Sequence, residues 1–188
     1  MPDAEVIFYR EFFTLAESDA LFEELSSQIE WKQERIWFPG GERLLPRLTA
    51  WYGDTGKSYT YSNLTLHPLP WTPALLRMKE RVESVAGVQF NSVLLNLYRD
   101  GRDSVSWHSD DEPELGQNPV IASVSFGAAR RFQFKHKRKP ELRQTVDLTH
   151  GSLLLMRGAT QHYWKHQIPK TTRPVDPRIN LTFRVIQS

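Results

Sequence analysis

Cysteine is absent from the 188 residues. That excludes a disulfide framework, a thiolate metal site and a cysteine nucleophile. Runs of about 18 apolar residues are missing too, so no stretch reads as a membrane-spanning helix. The opening Met1-Pro2-Asp3-Ala4-Glu5 has neither the basic nor the apolar part of a secretory leader. A cytoplasmic setting is expected, associated with the nucleoid if the source is bacterial, with no membrane partner. Internal repeats and low-complexity linkers are also lacking. Net charge is only +2, but it is unevenly spread. Residues 3–30 carry eight acids against the single base Arg10, whereas residues 130–143 carry seven Arg or Lys against the single acid Glu141. The basic block is either a footprint for phosphates or a solvated loop.

The length suits one sizeable domain with its own core. Thr14-Leu15-Ala16-Glu17 has the form of a capping box, a side-chain acceptor followed three residues on by Glu. The helix it predicts carries Leu21, Phe22, Leu25 and Ile29 along one stripe. Trp31 to Leu69 lacks helical periodicity and reads as short strands and turns. Thr72-Pro73 predicts a second helix, with Leu75, Met78, Val82 and Val85 facing inward and Gly87 as its stop. Beyond Gly87 the pattern turns to strands: 93–98, 120–126, 131–135, 145–148, 152–156, 163–168 and 178–186. Many short strands separated by turn residues predict a sandwich or barrel. The class is mainly β with flanking helices (α+β).

Chemistry concentrates at Trp107-His108-Ser109-Asp110-Asp111-Glu112. Side chains two apart on extended backbone point the same way, so His108 and Asp110 offer an imidazole and a carboxylate to one place. With a second, distant His they would form a 2-His-1-carboxylate face, which leaves positions open and suits non-haem Fe(II) oxygen chemistry. H-x-D alone is a weak signal. His67, His136, His150, His162 and His166 are all candidates for the second imidazole, and spacing does not choose between His162 and His166. In the last strand Ile179, Leu181, Phe183 and Val185 share one face, and Arg178, Asn180, Thr182 and Arg184 share the other. That polar row is either an outer face in water, which pattern alone favours, or a pocket for a dianion gripped by guanidinium forks. Asn96 and Tyr98 share a face of another strand, opposite Val93, Leu95 and Leu97.

Four segments taken together, Asn96-Leu97-Tyr98, His108-x-Asp110, His166-Gln167-Ile168-Pro169-Lys170 and Arg178-Ile179-Asn180-Leu181-Thr182-Phe183-Arg184, resemble the AlkB family of Fe(II)- and 2-oxoglutarate-dependent nucleic-acid demethylases. The likeness runs from about Trp51 to Arg184. It is greatest to members that repair duplex DNA, through Tyr52-Gly53-Asp54, Tyr59-Thr60-Tyr61-Ser62, Leu64-Thr65-Leu66, Pro70-Trp71 and Asp110-Asp111-Glu112.

The resemblance implies a double-stranded β-helix (jelly-roll) core over residues 89–188. An N-terminal helical and nucleotide-recognition lid extension would occupy residues 1–88 of a single domain. It implies His166 as the second imidazole, so that His108, Asp110 and His166 hold iron. Arg178 and Tyr98 would take the distal carboxylate of 2-oxoglutarate, with Asn96 and Arg184 nearer the metal and Asn180 on the same face. O2 is the oxidant. The implied reaction is oxidative demethylation of alkylated DNA bases such as 1-methyladenine and 3-methylcytosine, yielding formaldehyde, succinate and CO2. Tyr61 would stack on the flipped base and Glu112 would meet its edge. Phe38 falls where duplex-active relatives insert a hydrophobic finger, although this stretch differs from theirs in length and residues. Arg47 and the block from Arg130 to Arg143 would touch phosphates. The expected partner is alkylated DNA, single- or double-stranded, or RNA, bound by a monomer. A related oxygenase acting on RNA or protein, a non-catalytic nucleic-acid-binding module and a zinc hydrolase are the competing readings. The hydrolase would leave the two arginines without a role.

Overall fold

The structure, a computed structural model, describes residues 1–38, 41–56, 59–61 and 64–187; the side chains of 36–38, 59–61 and 64–66 lie outside that description. The chain opens with β1 (Glu5–Tyr9) and α1 (Leu15–Gln28), then runs through β2 (Arg35–Phe38), β3 (Gly41–Leu44), β4 (Leu48–Gly53), β5 (Tyr59–Tyr61) and β6 (Leu64–Leu66). After α2 (Pro73–Ala86) come β7 (Ser92–Tyr98), β8 (Val105–His108), a 3-10 turn at Pro113–Leu115, β9 (Ile121–Gly127), β10 (Arg130–His136) and β11 (Arg143–Leu148). It closes with β12 (Ser152–Arg157), α3 (Thr160–Tyr163), β13 (Trp164–Ile168) and β14 (Arg178–Arg184).

Both long helices begin as their sequences predict. Thr14 accepts from the Glu17 N–H at 3.3 Å, and the Glu17 carboxylate accepts from the Thr14 N–H at 2.8 Å. Two donors that would otherwise be orphaned are thereby satisfied, which stabilises α1 by about 1 kcal/mol. Thr72 caps α2 with Pro73 in its first turn, and Gly87 ends it at φ 73°, where a side chain would be strained. The α2 stripe packs inward through Leu75, Met78 and Val82, whereas Val85 stays half-buried.

A six-stranded antiparallel sheet has the order β1-β12-β9-β14-β7-β4, and a four-stranded sheet the order β11-β10-β13-β8. The larger sheet has two covered faces. On one, Leu25, Leu75, Met78 and Val82 of the helices meet Val93, Leu95, Val124, Ile179, Leu181 and Phe183. On the other, Tyr98, Ile121, Leu154 and Met156 meet Phe132, Phe134, Trp164 and Ile168 of the smaller sheet. Two packed sheets with helices behind one of them is a jelly-roll plan.

This layering settles the last strand. Because helices and the smaller sheet cover opposite faces of β14, its polar row cannot look into water. Arg178 is 1% exposed, Asn180 6% and Thr182 9%, so the outer-face reading that pattern favoured is corrected. The larger sheet also draws on the first 88 residues, since β1 is one edge and β4 the other. β1 has no counterpart among the expected strands, because Val6-Ile7-Phe8-Tyr9 is a continuous apolar run without alternation. It is a strand because β12 supplies five paired residues opposite it. Two small hairpins, β2-β3 and β5-β6, stand apart from the main sheets.

Candidate active site

The site lies between the sheets, where the polar row of β14 faces the inner side of β13 and β8. Alternation along β13 sends Trp164, His166 and Ile168 inward and leaves Lys165 and Gln167 half-exposed. His162 lies on α3 and is exposed. In the antiparallel register His166 sits directly opposite His108, so the two rings come to 4.3 Å, inclined at 70°. Asp110 falls two residues past the end of β8 and is 2% exposed. Ligand atoms of His108, Asp110 and His166 all lie within 4.8 Å of one another, the only such group among the described residues.

Electrostatics prepare this trio for a cation. Asp110 Oδ1 accepts from Arg184 Nη2 at 2.7 Å, and Oδ2 lies 3.7 Å from His166 Nε2. Burial would raise the Asp110 carboxyl, but the Arg184 guanidinium bonded to it outweighs that and holds it below the usual carboxylate range. Burial pushes His166 down to about 3, with His108 adding to the effect, so its ring is neutral and has a lone pair to give. His108 Nδ1 lies 2.8 Å from the Ser106 carbonyl. A carbonyl can only accept, so in the neutral ring Nδ1 carries the proton and Nε2 is free for a metal. Phe132 stacks on His166 at 5.0 Å and 23°, fixing the second ring by packing.

Arg178 supplies the second half of the test. Its Nη2 donates to Ser125 Oγ at 2.9 Å, and its guanidinium lies 5.1 Å from the Tyr98 ring. Nε and Nη1 are buried with no acceptor among the described residues. Burial pushes the group down to about 10 against the pull of Tyr98, so it stays charged at neutral pH. A buried cation with two nitrogens unanswered is costly unless an anion completes it, and a carboxylate matches a guanidinium fork. Two imidazoles and one carboxylate fit Fe(II), and the open guanidinium beside them fits a dicarboxylate. The residues present therefore suit Fe(II) and 2-oxoglutarate.

Other expected residues fall in less expected places. Asn96 is buried beside this pocket, and its Oδ1 accepts from Arg47 Nε at 2.6 Å. Arg47, expected on phosphates, is thus turned inward, with Nη1 also donating to the Ser104 carbonyl at 3.2 Å. Arg184, expected on the cosubstrate, has Asp110 as its partner. Asn180 is engaged within the protein, donating to Ser123 Oγ at 2.8 Å and the Val124 carbonyl at 3.0 Å and accepting from Thr182. Arg130, first of the expected phosphate contacts, is 4% exposed and donates to the carbonyls of Asp100, Asp103 and Pro169. It braces loops and cannot reach a phosphate. Glu112 is half-buried, with Oε2 enclosed and without a hydrogen-bond partner among the described residues. The side chains of Phe38 and Tyr61 lie outside the described residues. Ser125 and Gln161 were missed. Ser123 and Ser125 alternate within the apolar 121–126 stretch, a pattern that could have flagged a polar row, whereas nothing local marks Gln161.

Comparison with known proteins sharpens the reading. The family model described as the 2OG-Fe(II) oxygenase superfamily matches residues 5–184. DNA oxidative demethylase ALKBH2 of Homo sapiens is 44% identical over 188 residues, covering 95% of this chain and 72% of that protein. The chain belongs to the AlkB family. Among other AlkB relatives, alpha-ketoglutarate-dependent dioxygenase alkB homolog 3 of Bos taurus is 48% identical over 184 residues. That match covers 93% of this chain and 64% of the relative, so the chain spans just under two thirds of that protein's length. A solved structure, described as that of OsALKBH1, superposes with a TM-score of 0.68 over 97% of both chains at 16% identity, which supports the fold alone.

Proposed function

We propose that this chain is an Fe(II)- and 2-oxoglutarate-dependent dioxygenase that removes N-alkyl groups from DNA bases, such as 1-methyladenine and 3-methylcytosine, as direct-reversal repair. The observation that carries the reading is Arg178, charged, enclosed and half unpartnered, next to the His108, Asp110 and His166 cluster. His108, Asp110 and His166 would hold the metal. Arg178 would grip a carboxylate of the cosubstrate, with Tyr98 and Asn96 lining the same pocket. When bound, Fe(II) with 2-oxoglutarate and O2 supplies the oxidising power that turns an N-methyl group into formaldehyde, leaving succinate and CO2. The chain's own part is geometric. Arg184 keeps Asp110 ionised, Phe132 holds the His166 ring, and the apolar layer of Phe134, Trp164 and Ile168 excludes water.

Base chemistry requires the target nucleotide to leave the stack. Relatives carrying the name DNA oxidative demethylase support a nucleic-acid substrate. The hairpins β2-β3 and β5-β6 would form the lid, with Tyr61 stacking on the base and the free Glu112 Oε2 accepting from its edge. For the backbone, the outer face of the smaller sheet replaces Arg130. Lys135 of β10 pairs directly with Lys165 of β13 and with Arg143 of β11. Like charges directly opposite are unfavourable, and a phosphate between them removes the conflict.

The test is incubation with Fe(II), 2-oxoglutarate and methylated oligonucleotides, as single strand, duplex and RNA. Formaldehyde and succinate should appear together, only when 2-oxoglutarate is present, and fastest on a DNA form. His166→Ala should abolish turnover while His162→Ala retains it. Product formed without 2-oxoglutarate rejects the oxygenase reading, and turnover confined to RNA rejects the DNA assignment.

A further inference from the structure

Asp110 is a metal-ligand candidate that no strand holds. Ladder pairing of β8 with β13 stops at His108, so the loop from Ser109 to Glu112 needs another anchor. That anchor is Gln161 on α3, 1% exposed. Its Oε1 accepts the Asp110 backbone N–H at 3.0 Å. Its Nε2 points at Met156 Sδ, 3.6 Å away, a weak acceptor. The amide has one sensible orientation, since exchanging its O and N would set two donors against each other. A second contact closes the arrangement. Lys137 Nζ donates to the Gln161 carbonyl at 2.8 Å and to Asp111 Oδ2 at 2.8 Å, while the Lys137 N–H donates to the Tyr163 carbonyl at 2.7 Å. Asp110, Asp111, Lys137 and Gln161 thus form a closed ring of bonds across three elements distant in sequence.

We infer that Gln161 is a positioning residue for the Asp110 carboxylate, with Lys137 as its brace. The inference rests on the proposed reading in one respect, that Asp110 holds a divalent metal. The Asp110 N–H is buried, so removing its acceptor leaves a donor that must find water. The loop would turn to provide it, carrying Oδ2 away from His166 Nε2. Arg184 restrains Oδ1 alone and does not fix the backbone. Groups that orient metal ligands from outside the coordination shell typically change metal affinity about 10–100-fold when removed.

The experiment titrates Mn(II) into the metal-free full chain by calorimetry and records metal-free melting alongside. Gln161→Leu should weaken Mn(II) about 10–100-fold. Met156→Leu, which removes only the other contact of the amide, should bind as the wild type does. Lys137→Met, at a side chain 22% exposed, should lose affinity in the same direction but less. Wild-type affinity in Gln161→Leu overturns the inference. So does an equal loss in Met156→Leu, which would mark a packing effect. If Gln161→Leu does not fold, Lys137→Met decides, and unchanged affinity there overturns it. His166→Ala separates the two layers. If the wild type binds no Mn(II), or binds it equally well without His166, the reading of the site itself fails. If His166→Ala abolishes binding while Gln161→Leu does not weaken it, only the positioning role fails.

Discussion

Arg130 and Arg178 both lie against the Tyr98 ring, with guanidinium carbons 5.6 and 5.1 Å from its centre. Both are almost wholly enclosed, at 4% and 1% exposure, and burial lowers the pKa of both. Their surroundings differ. Arg130 donates to three backbone carbonyls from two loops, so its charge is spread over fixed dipoles. Arg178 donates to one hydroxyl and feels the pull of Tyr98, while its Nε and Nη1 meet no well-aligned acceptor among the described residues. The first arrangement is finished by the fold and serves it. The second is left open, with room for the ligand proposed above. Burial of a cation is therefore uninformative by itself, and the state of its hydrogen bonds tells a structural arginine from a binding one.

The widest separation between the two should come from truncating each. Arg130→Met strands the carbonyls of Asp103 and Pro169 and leaves that of Asp100 with only the Asp103 N–H, so at about 1 kcal/mol or more for each stranded oxygen a loss of about 2–3 kcal/mol is expected in urea unfolding. Arg178→Met removes an incompletely paired buried charge, so ligand-free stability should stay within about 1 kcal/mol of the wild type. The thermal shift given by 2-oxoglutarate with Mn(II) should disappear in Arg178→Met. Equal destabilisation by both substitutions would end the distinction.

A pH series sharpens the same point at the metal trio. His166 and Asp110 both have folded pKa values below their unfolded ones, His166 at about 3. Between about 6.5 and 3 the unfolded chain therefore binds more protons than the folded one at His166, so stability is present at neutral pH and is lost as pH falls through that window. Metal-free melting should show this decline, and His166→Gln should flatten it, leaving the part due to Asp110. A profile unaffected by His166→Gln would mean that the ring is not held neutral. Chelation should reveal the next effect: adding Mn(II) at 100 times its Kd should restore about 2.7 kcal/mol, and Asp110→Asn should lose most of that gain. The smallest effect is a control far from the site. Thr14→Ala removes the α1 cap and should cost about 1 kcal/mol without touching metal affinity.

Helix ends were legible because capping is local: Thr14 with Glu17, and Thr72 with Pro73 and Gly87, need only their own neighbours. The alternation in 178–184 was legible too, since extended backbone sends successive side chains to opposite faces. Family motifs added the choice of His166. The inward turn of Arg47, the commitment of Arg130 to carbonyls and the hold of Gln161 on Asp110 were not legible. Each joins residues far apart in the chain, and their partners are mostly backbone atoms, which carry no sequence signature.

By itself the sequence determined the two capped helices, the period-2 strands and which side chains share a face, because these follow from backbone sterics over a few residues. Tertiary structure decided which face is inside. A polar row reads the same against water or against a second sheet, and only the packing of helices and the β11-β10-β13-β8 sheet on opposite sides of β14 enclosed Arg178. Register likewise set His166 opposite His108 and left His162 in solvent, since a ladder fixes distances that spacing along a chain does not.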